Sequence, residues 1–304
     1  VQTIDSHPIR FGELAGPLVH GSLFFDWELV STQEITAAVG HRFQDIVASG
    51  GIPYAPVVAS TSVHRYPTFE DTVSVETVPI HVGDSSVELV YEMTDGNGDP
   101  VATGRLTHVT IAPEGGALEL PNATREAYAD QLVDRDPAVG PDAPQVKADG
   151  AGRVDETGDV DEADDRLETD ADALPTFSAS FPVRSPHIES SELAYFEEYP
   201  SFADAALEAF LEDSGTSLDA LSGERQPFRI ADWQWEFSSP VPFESTLRVD
   251  ADVRAVDSEA VRIEHTLSSD GTPSIEGITE YGCFDRSGER VPFTEDALEP
   301  FRSV

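Results

Sequence analysis

The chain has 304 residues, of which 58 are acidic and 18 basic, for a formal net charge of −40. So anionic a surface repels phosphate and argues against nucleic acid as a ligand. No apolar run reaches the ~20 residues of a membrane-spanning helix. Hydrophobic residues make up 39% of the chain, enough to bury real cores, and the length suits two domains of roughly 100–200 residues each.

Lys147 is the single lysine, so the basic residues are otherwise all arginine. Carboxylates at this density repel one another at low ionic strength, and concentrated salt screens that repulsion. The composition is therefore that expected of a halophile's protein, with an acidic face for a basic partner as the alternative. The opening residues Val1 to Asp5 lack a charged-then-apolar leader pattern, and a soluble, cytoplasmic protein is expected. Cys283 is the sole cysteine, which excludes an intrachain disulfide and a cysteine-based zinc site. It is expected to be a small core residue.

In chain order, a short apolar strand is expected at residues 8–11 and a long helix over residues 23–47, which Pro53 ends. Val73, Val75, Thr77 and then Val87, Leu89, Tyr91 alternate with polar neighbours, as half-buried antiparallel strands do. Asp95-Gly96-Asn97-Gly98 supplies a hairpin turn. Residues 130–174 are rich in Asp, Glu, Gly, Ala and Pro and poor in large apolar side chains, so they read as a solvated acidic linker. Beyond it comes a strand at residues 181–183. Phe202, Ala206, Ala209 and Phe210 then lie at helical spacing, and Pro227 closes the helical stretch. Trp233 and Trp235 share one strand face. Leu247, Val249, Ala251 and Val261, Ile263, His265 repeat the earlier alternation, with a turn at Asp270-Gly271.

The second half therefore repeats the first. At an offset of 174 residues, Ile9-Arg10 falls on Val183-Arg184, Pro53-Tyr54 on Pro227-Phe228, Phe69-Glu70 on Phe243-Glu244 and Val75 on Val249. Past the hairpin turns the register slips by one, and Gly104 meets Gly277. The expected organisation is repeat one over 1–129, linker over 130–174 and repeat two over 175–304. Each repeat is α+β: strand, long helix, then antiparallel meander. One helix cannot cover such a sheet alone, so the two copies are expected to pair within the chain.

This grammar resembles the hotdog fold, in a tandem, haloarchaeal-type form. The opening of repeat two resembles the 4-hydroxybenzoyl-CoA and acyl-CoA thioesterase branch. Val183-Arg184-Ser185-Pro186-His187-Ile188-Glu189 runs without a gap to Tyr195-Phe196-Glu197-Glu198-Tyr199, where the branch has V-R-x-x-D-x-D-x-x-G-x-V-x-[YF]-x-N-Y. The second acid of that pattern, catalytic in the branch, falls on Glu189. The first falls on His187, and the glycine on Glu192. In repeat one, Ile9-Arg10-Phe11-Gly12-Glu13 matches the strand and first acid, but the second acid position is Ala15.

The resemblance implies thioester hydrolysis of an acyl-CoA, with no cofactor and no metal. A carboxylate acts on the carbonyl as general base or nucleophile, and a helix-start N–H receives the oxyanion. Carried over, the carboxylate is Glu189 and the donor is the N–H of Phe196, with His187 as an orienting partner. Tyr195, Tyr199, Glu13, His20 and Ser22 are the expected substrate-binding residues. The acyl tail is expected between the two helices with CoA at the rim, and tandem chains are expected to be able to associate further. Two other readings stand beside this one. A non-catalytic acyl-CoA binder is suggested by the lost acid of repeat one. An enoyl-CoA hydratase is suggested by Val19-His20-Gly21, although its D-x-N-P-[LIV]-H pattern is absent.

Overall fold

A computed structural model describes residues 1–113, 115–132, 174–190 and 192–302. Most of the acidic linker expected over 130–174, from residue 133 to 173, lies outside the described residues. In the first half, β1 (Gln2–Pro8) leads through a two-residue pair, β2 (Leu14–Ala15) and β3 (Leu18–Val19), to α1 (Leu23–Ala38). Then come α2 (Phe43–Ala48), the meander β4 (Ile52–Val63), β5 (Thr72–Val82), β6 (Ser86–Asp95) and β7 (Pro100–Ile111), and α3 (Asn122–Ala129). The second half contains β8 (Thr176–Pro182), α4 (Glu198–Asp213), α5 (Leu218–Leu221), β9 (Arg225–Phe237), β10 (Thr246–Val256), β11 (Val261–Ser269), β12 (Thr272–Asp285), β13 (Arg290–Val291) and α6 (Glu295–Arg302).

Alternation along the strands turns one face of each toward the helices. In β5, Val73, Val75 and Thr77 are buried, and in β10, Leu247, Val249, Ala251 and Val253 are. α1 packs on β1, β5 and β6, and α4 packs on β8 and β10. The strands form one antiparallel sheet in the order β1-β5-β6-β7-β4-β9-β12-β11-β10-β8, with β13 added beside β12. The two halves join where β4 pairs with β9. In that ladder Ser60 pairs with Gln234, and Ala59–Trp235 and Thr61–Trp233 flank the pair. Ser60 and Gln234 are 174 apart, so each is the other's counterpart and a pseudo-two-fold axis passes through the pair. This is the self-complementary geometry of a two-fold dimer, built within one chain. The architecture is a double hotdog.

Two sequence expectations shift. The strand expected at residues 8–11 ends at Pro8, and Phe11–Glu13 forms a 3-10 turn, as Ser185–His187 does in the second half. The helix expected to run to residue 47 stops at Ala38. There Gly40 adopts φ +79, and its N–H bonds to the Ala37 carbonyl, so a left-handed glycine closes the helix before α2 restarts. Gly104 and Gly277 are required by contact. A Cβ at Gly104 would lie 2.0 Å from the Glu28 carboxylate, and one at Gly277 would lie 2.5 Å from the Trp235 ring. Cys283 is buried in the core, where burial pushes its thiol up to about 11.

Candidate active site

The backbone between β8 and α4 is folded back on itself. The Arg184 N–H donates to Nδ1 of His187 at 3.1 Å, the Glu189 N–H to the Leu193 carbonyl at 3.0 Å, and the Tyr195 N–H to the His187 carbonyl at 2.8 Å. The Ala194 N–H ties the loop to the Val241 carbonyl. Closing the loop requires Glu192 at φ +60, a left-handed conformation that glycine adopts more readily. The glycine of the resembled pattern falls on this residue, so the departure there is in the side chain, and the backbone keeps the glycine-like geometry.

This fold-back sets Glu189, Tyr195, Phe196 and Tyr199 together on the wall of one cleft of about 330 Å³. The opposite wall belongs to the first half: Leu29 and Gln33 of α1, Phe43 of α2, and Ile52 to Val57 at the start of β4. Phe237 to Pro240 close one end. The lining is mostly apolar, as suits an acyl chain. Phe196 is buried against Phe25, Trp233 and Phe237, with ring centroids 5.6–5.8 Å apart. Phe196 lies in the turn that leads into α4, and among the described residues its N–H donates no hydrogen bond.

Glu189 is half-buried, and one of its oxygens accepts from Ser190 Oγ at 3.1 Å. Its charge helps to raise the phenols of Tyr195 and Tyr199, where burial is the larger cause. The Tyr195 hydroxyl donates to Asp26 of α1 at 3.0 Å, a bond between the two repeats. Burial raises the Asp26 carboxyl, and burial together with Asp26 and Glu198 lifts Glu197 to about 7. The helix starts of both halves thus meet in a cluster of carboxyls whose ionisation burial disfavours.

The other expected residues are placed elsewhere. His187 does not line the cleft. Its ring packs edge-on against Phe202 at 5.1 Å, and its Nδ1 is occupied by Arg184. Glu13 occupies the matching place in repeat one, where it accepts from the Arg10 N–H at 2.7 Å and pairs with His7 at 2.9 Å. His20 and Ser22 line a second cleft on the far side of the pseudo-dyad. His108 is buried, and burial drives its imidazole down to about 3, which fits a structural role. Sequence reasoning did not single out Asp26, Gln33 or Arg229. Asp26 and Gln33 sit on an otherwise ordinary helix, and only the inter-repeat packing gives them meaning.

No protein-family model matches the chain, and no curated protein is significantly similar to it. Solved structures are similar over nearly the whole chain. A structure described as a putative oleoyl thioesterase from Lactobacillus plantarum superposes with a TM-score of 0.66 at 12% identity, covering 93% of this chain and 96% of that one. The 12:0-ACP thioesterase from Umbellularia californica gives 0.63 at 15% identity, covering 91% and 92%. An acyl-ACP thioesterase from Bacteroides thetaiotaomicron gives 0.59 at 10% identity, covering 92% and 96%. Among the described residues, no helix is long and apolar enough to cross a membrane.

Proposed function

We propose that this chain hydrolyses an acyl thioester in the cleft that carries Glu189, with coenzyme A as the acyl carrier. The observation that supports this most is the placement of Glu189 and Phe196, just before α4, on the wall of one mostly apolar cleft between the repeats. The similar folds include three thioesterases.

In this reading the acyl chain lies against Leu29, Phe43, Ile52 and Phe237. The thioester carbonyl sits near the start of α4, with its oxygen toward the Phe196 N–H. Glu189 takes a proton from water as the water oxygen bonds to the carbonyl carbon. The oxyanion is held by the amide and the positive end of the helix. Collapse of the tetrahedral species breaks the C–S bond, and the thiolate takes up a proton as the carboxylic acid leaves. Tyr195 is a positioning residue in this scheme, because its hydrogen bond to Asp26 ties the Glu189 loop to the helix opposite.

The test is thiol release from acyl-CoAs of graded length, in concentrated salt. Glu189→Ala is expected to lower turnover about 10²–10⁴-fold, the usual worth of a positioned general base. Glu236→Gln, on an exposed strand position, should change nothing. Full activity in Glu189→Ala would overturn the assignment. Hydrolysis of acyl-ACP but not acyl-CoA would keep the chemistry and overturn the carrier.

A further inference from the structure

The pseudo-dyad generates a second cleft, of about 490 Å³, from the same backbone positions. Much of its lining is the counterpart of the first, with the charged side chain moved to the other wall. Where the first has Glu189 the second has Ala15, and where the first has Ala55 the second has Arg229. The guanidinium reaches the place that the acid has left, since Nη2 of Arg229 donates to the Ala15 carbonyl at 2.5 Å. It also lies over the Tyr66 ring, 5.9 Å from its centroid.

In a chain with more than three acidic residues for every basic one, many arginines sit in ion pairs, among them Arg65, Arg105, Arg254 and Arg290. Arg229 is half-buried and has no carboxylate within ion-pair distance among the described residues. Burial disfavours the charged forms of the nearby acid and histidine. Burial raises Asp204 to about 7, and its oxygen accepts from the Tyr281 hydroxyl at 3.0 Å. Burial and Arg229 lower His20. The exposed Glu208 and Asp219 stand at the rim, where solvent and salt screen them. Deeper in, Leu207, Leu211, Phe228 and Ile230 give an apolar wall. A single fixed cation above an apolar wall is complementary to an anion that carries a hydrocarbon tail.

We propose that this second cleft is a binding site for an aliphatic carboxylate, held through its carboxyl group by Arg229. The site does not depend on the hydrolase reading. It uses the pseudo-symmetric counterpart of the first cleft, where Ala15 stands at the position of Glu189 beside Arg229.

Sodium octanoate is the probe, titrated calorimetrically into the whole chain in concentrated salt at neutral pH. Saturable binding at millimolar octanoate or below is expected. Arg229→Gln should weaken it at least tenfold, and Glu189→Ala, in the other cleft, should leave it in place. Octan-1-ol has the same tail without the charge, and it should bind the unaltered protein at least tenfold more weakly. That comparison requires no variant to fold. Absence of octanoate binding, equal binding of octanol, or full binding by a folded Arg229→Gln variant would each overturn the proposal.

Discussion

The two clefts of this molecule share a backbone and differ in almost every functional side chain. Tyr54 and Phe228 stand at matching places on β4 and β9 with φ of +44 and +57, so even a strained local conformation is common to both. Yet Glu189 faces Ala15 across the comparison, Phe196 faces Ser22, Ile52 faces Gln226, and Ala55 faces Arg229. Sheet register and helix placement depend on the buried alternation, which both halves retain. Glu189, Ala15, Ala55 and Arg229 are only half-buried and lie outside the buried core, so these positions can diverge without loss of fold. One copy keeps a carboxylate in a greasy slot while the other acquires a cation in a more polar one.

The largest expected effect comes from exchanging that difference. If an acid beside a helix start were sufficient for hydrolysis, Ala15→Glu would restore turnover to the Glu189→Ala protein. The structure argues otherwise, because the new carboxylate would meet Arg229 and be neutralised as an ion pair. The double variant is expected to stay at least about 10²-fold below the unaltered chain in thiol release. Recovery of activity would show that the clefts are chemically equivalent and that Arg229 is irrelevant.

A second contrast lies under the helices. α4 buries apolar residues throughout, among them Phe202, Ala203, Ala206 and Leu207, whereas α1 buries Glu28, Ser31, Thr32 and Thr36 beside Phe24, Phe25, Trp27 and Ile35. Glu28 is the counterpart of Phe202. It accepts from Thr61 at 2.8 Å, and burial raises its carboxyl to about 8, only partly offset by that bond. Between about pH 4.5 and 8 the folded chain therefore holds a proton that the unfolded chain releases, so stability falls as pH rises through that window and levels off above it. The slope is roughly 1.4 kcal/mol per pH unit at most, giving a loss of several kcal/mol. Glu28→Gln keeps the geometry without titrating and should remove Glu28's share of the slope, leaving the shares of Asp204 and Glu197, which burial raises to about 7. Denaturant unfolding at pH 5.5 and 8.5 measures it, and parallel curves for the two proteins would refute the assignment.

A smaller effect is expected where the halves touch. Tyr195→Phe leaves the half-buried Asp26 without its phenol donor, at a cost of about 1–2 kcal/mol in stability. Because Tyr195 walls the cleft, KM for acyl-CoA should rise more than kcat falls. A purely structural role would lower stability and leave the balance between KM and kcat unchanged.

Much of this was legible in the sequence. The 174-residue offset and the alternation of Val73, Val75, Leu247 and Val249 report buried backbone positions, which are spaced regularly and tolerate little change. Glu189, Tyr195, Phe196 and Tyr199, which line one cleft, sit on one continuous stretch whose spacing carries the resemblance. His20 and Ser22 were assigned to the same site as Glu189, but the pseudo-dyad sends them to the other cleft. A linear pattern cannot show which half's helix faces which half's loop. The helix break at Gly40 was missed because residues 41–48 keep helical composition on both sides of one left-handed residue. The pairing of Arg229 with the place of the missing acid had no local signal, because it appears only when position 229 is set beside position 15.

The smallest expected effect concerns the loop that aims Glu189. Glu192 is held at φ +60, and its counterpart in the first half, Leu18, has no left-handed conformation. A side chain with a Cβ pays roughly 1 kcal/mol to sit there. Glycine would relieve that strain but would gain a similar amount of entropy in the unfolded chain, so Glu192→Gly is expected to move stability by less than about 1 kcal/mol. A β-branched residue has no such compensation, and Glu192→Val should cost about 1–2 kcal/mol and loosen the loop, lowering turnover more than it lowers the unfolding midpoint. If both variants behave like the unaltered chain, the left-handed turn is not what orients Glu189, and the hydrogen bonds from Glu189 N–H to Leu193 and from Ala194 N–H to Val241 hold the loop on their own.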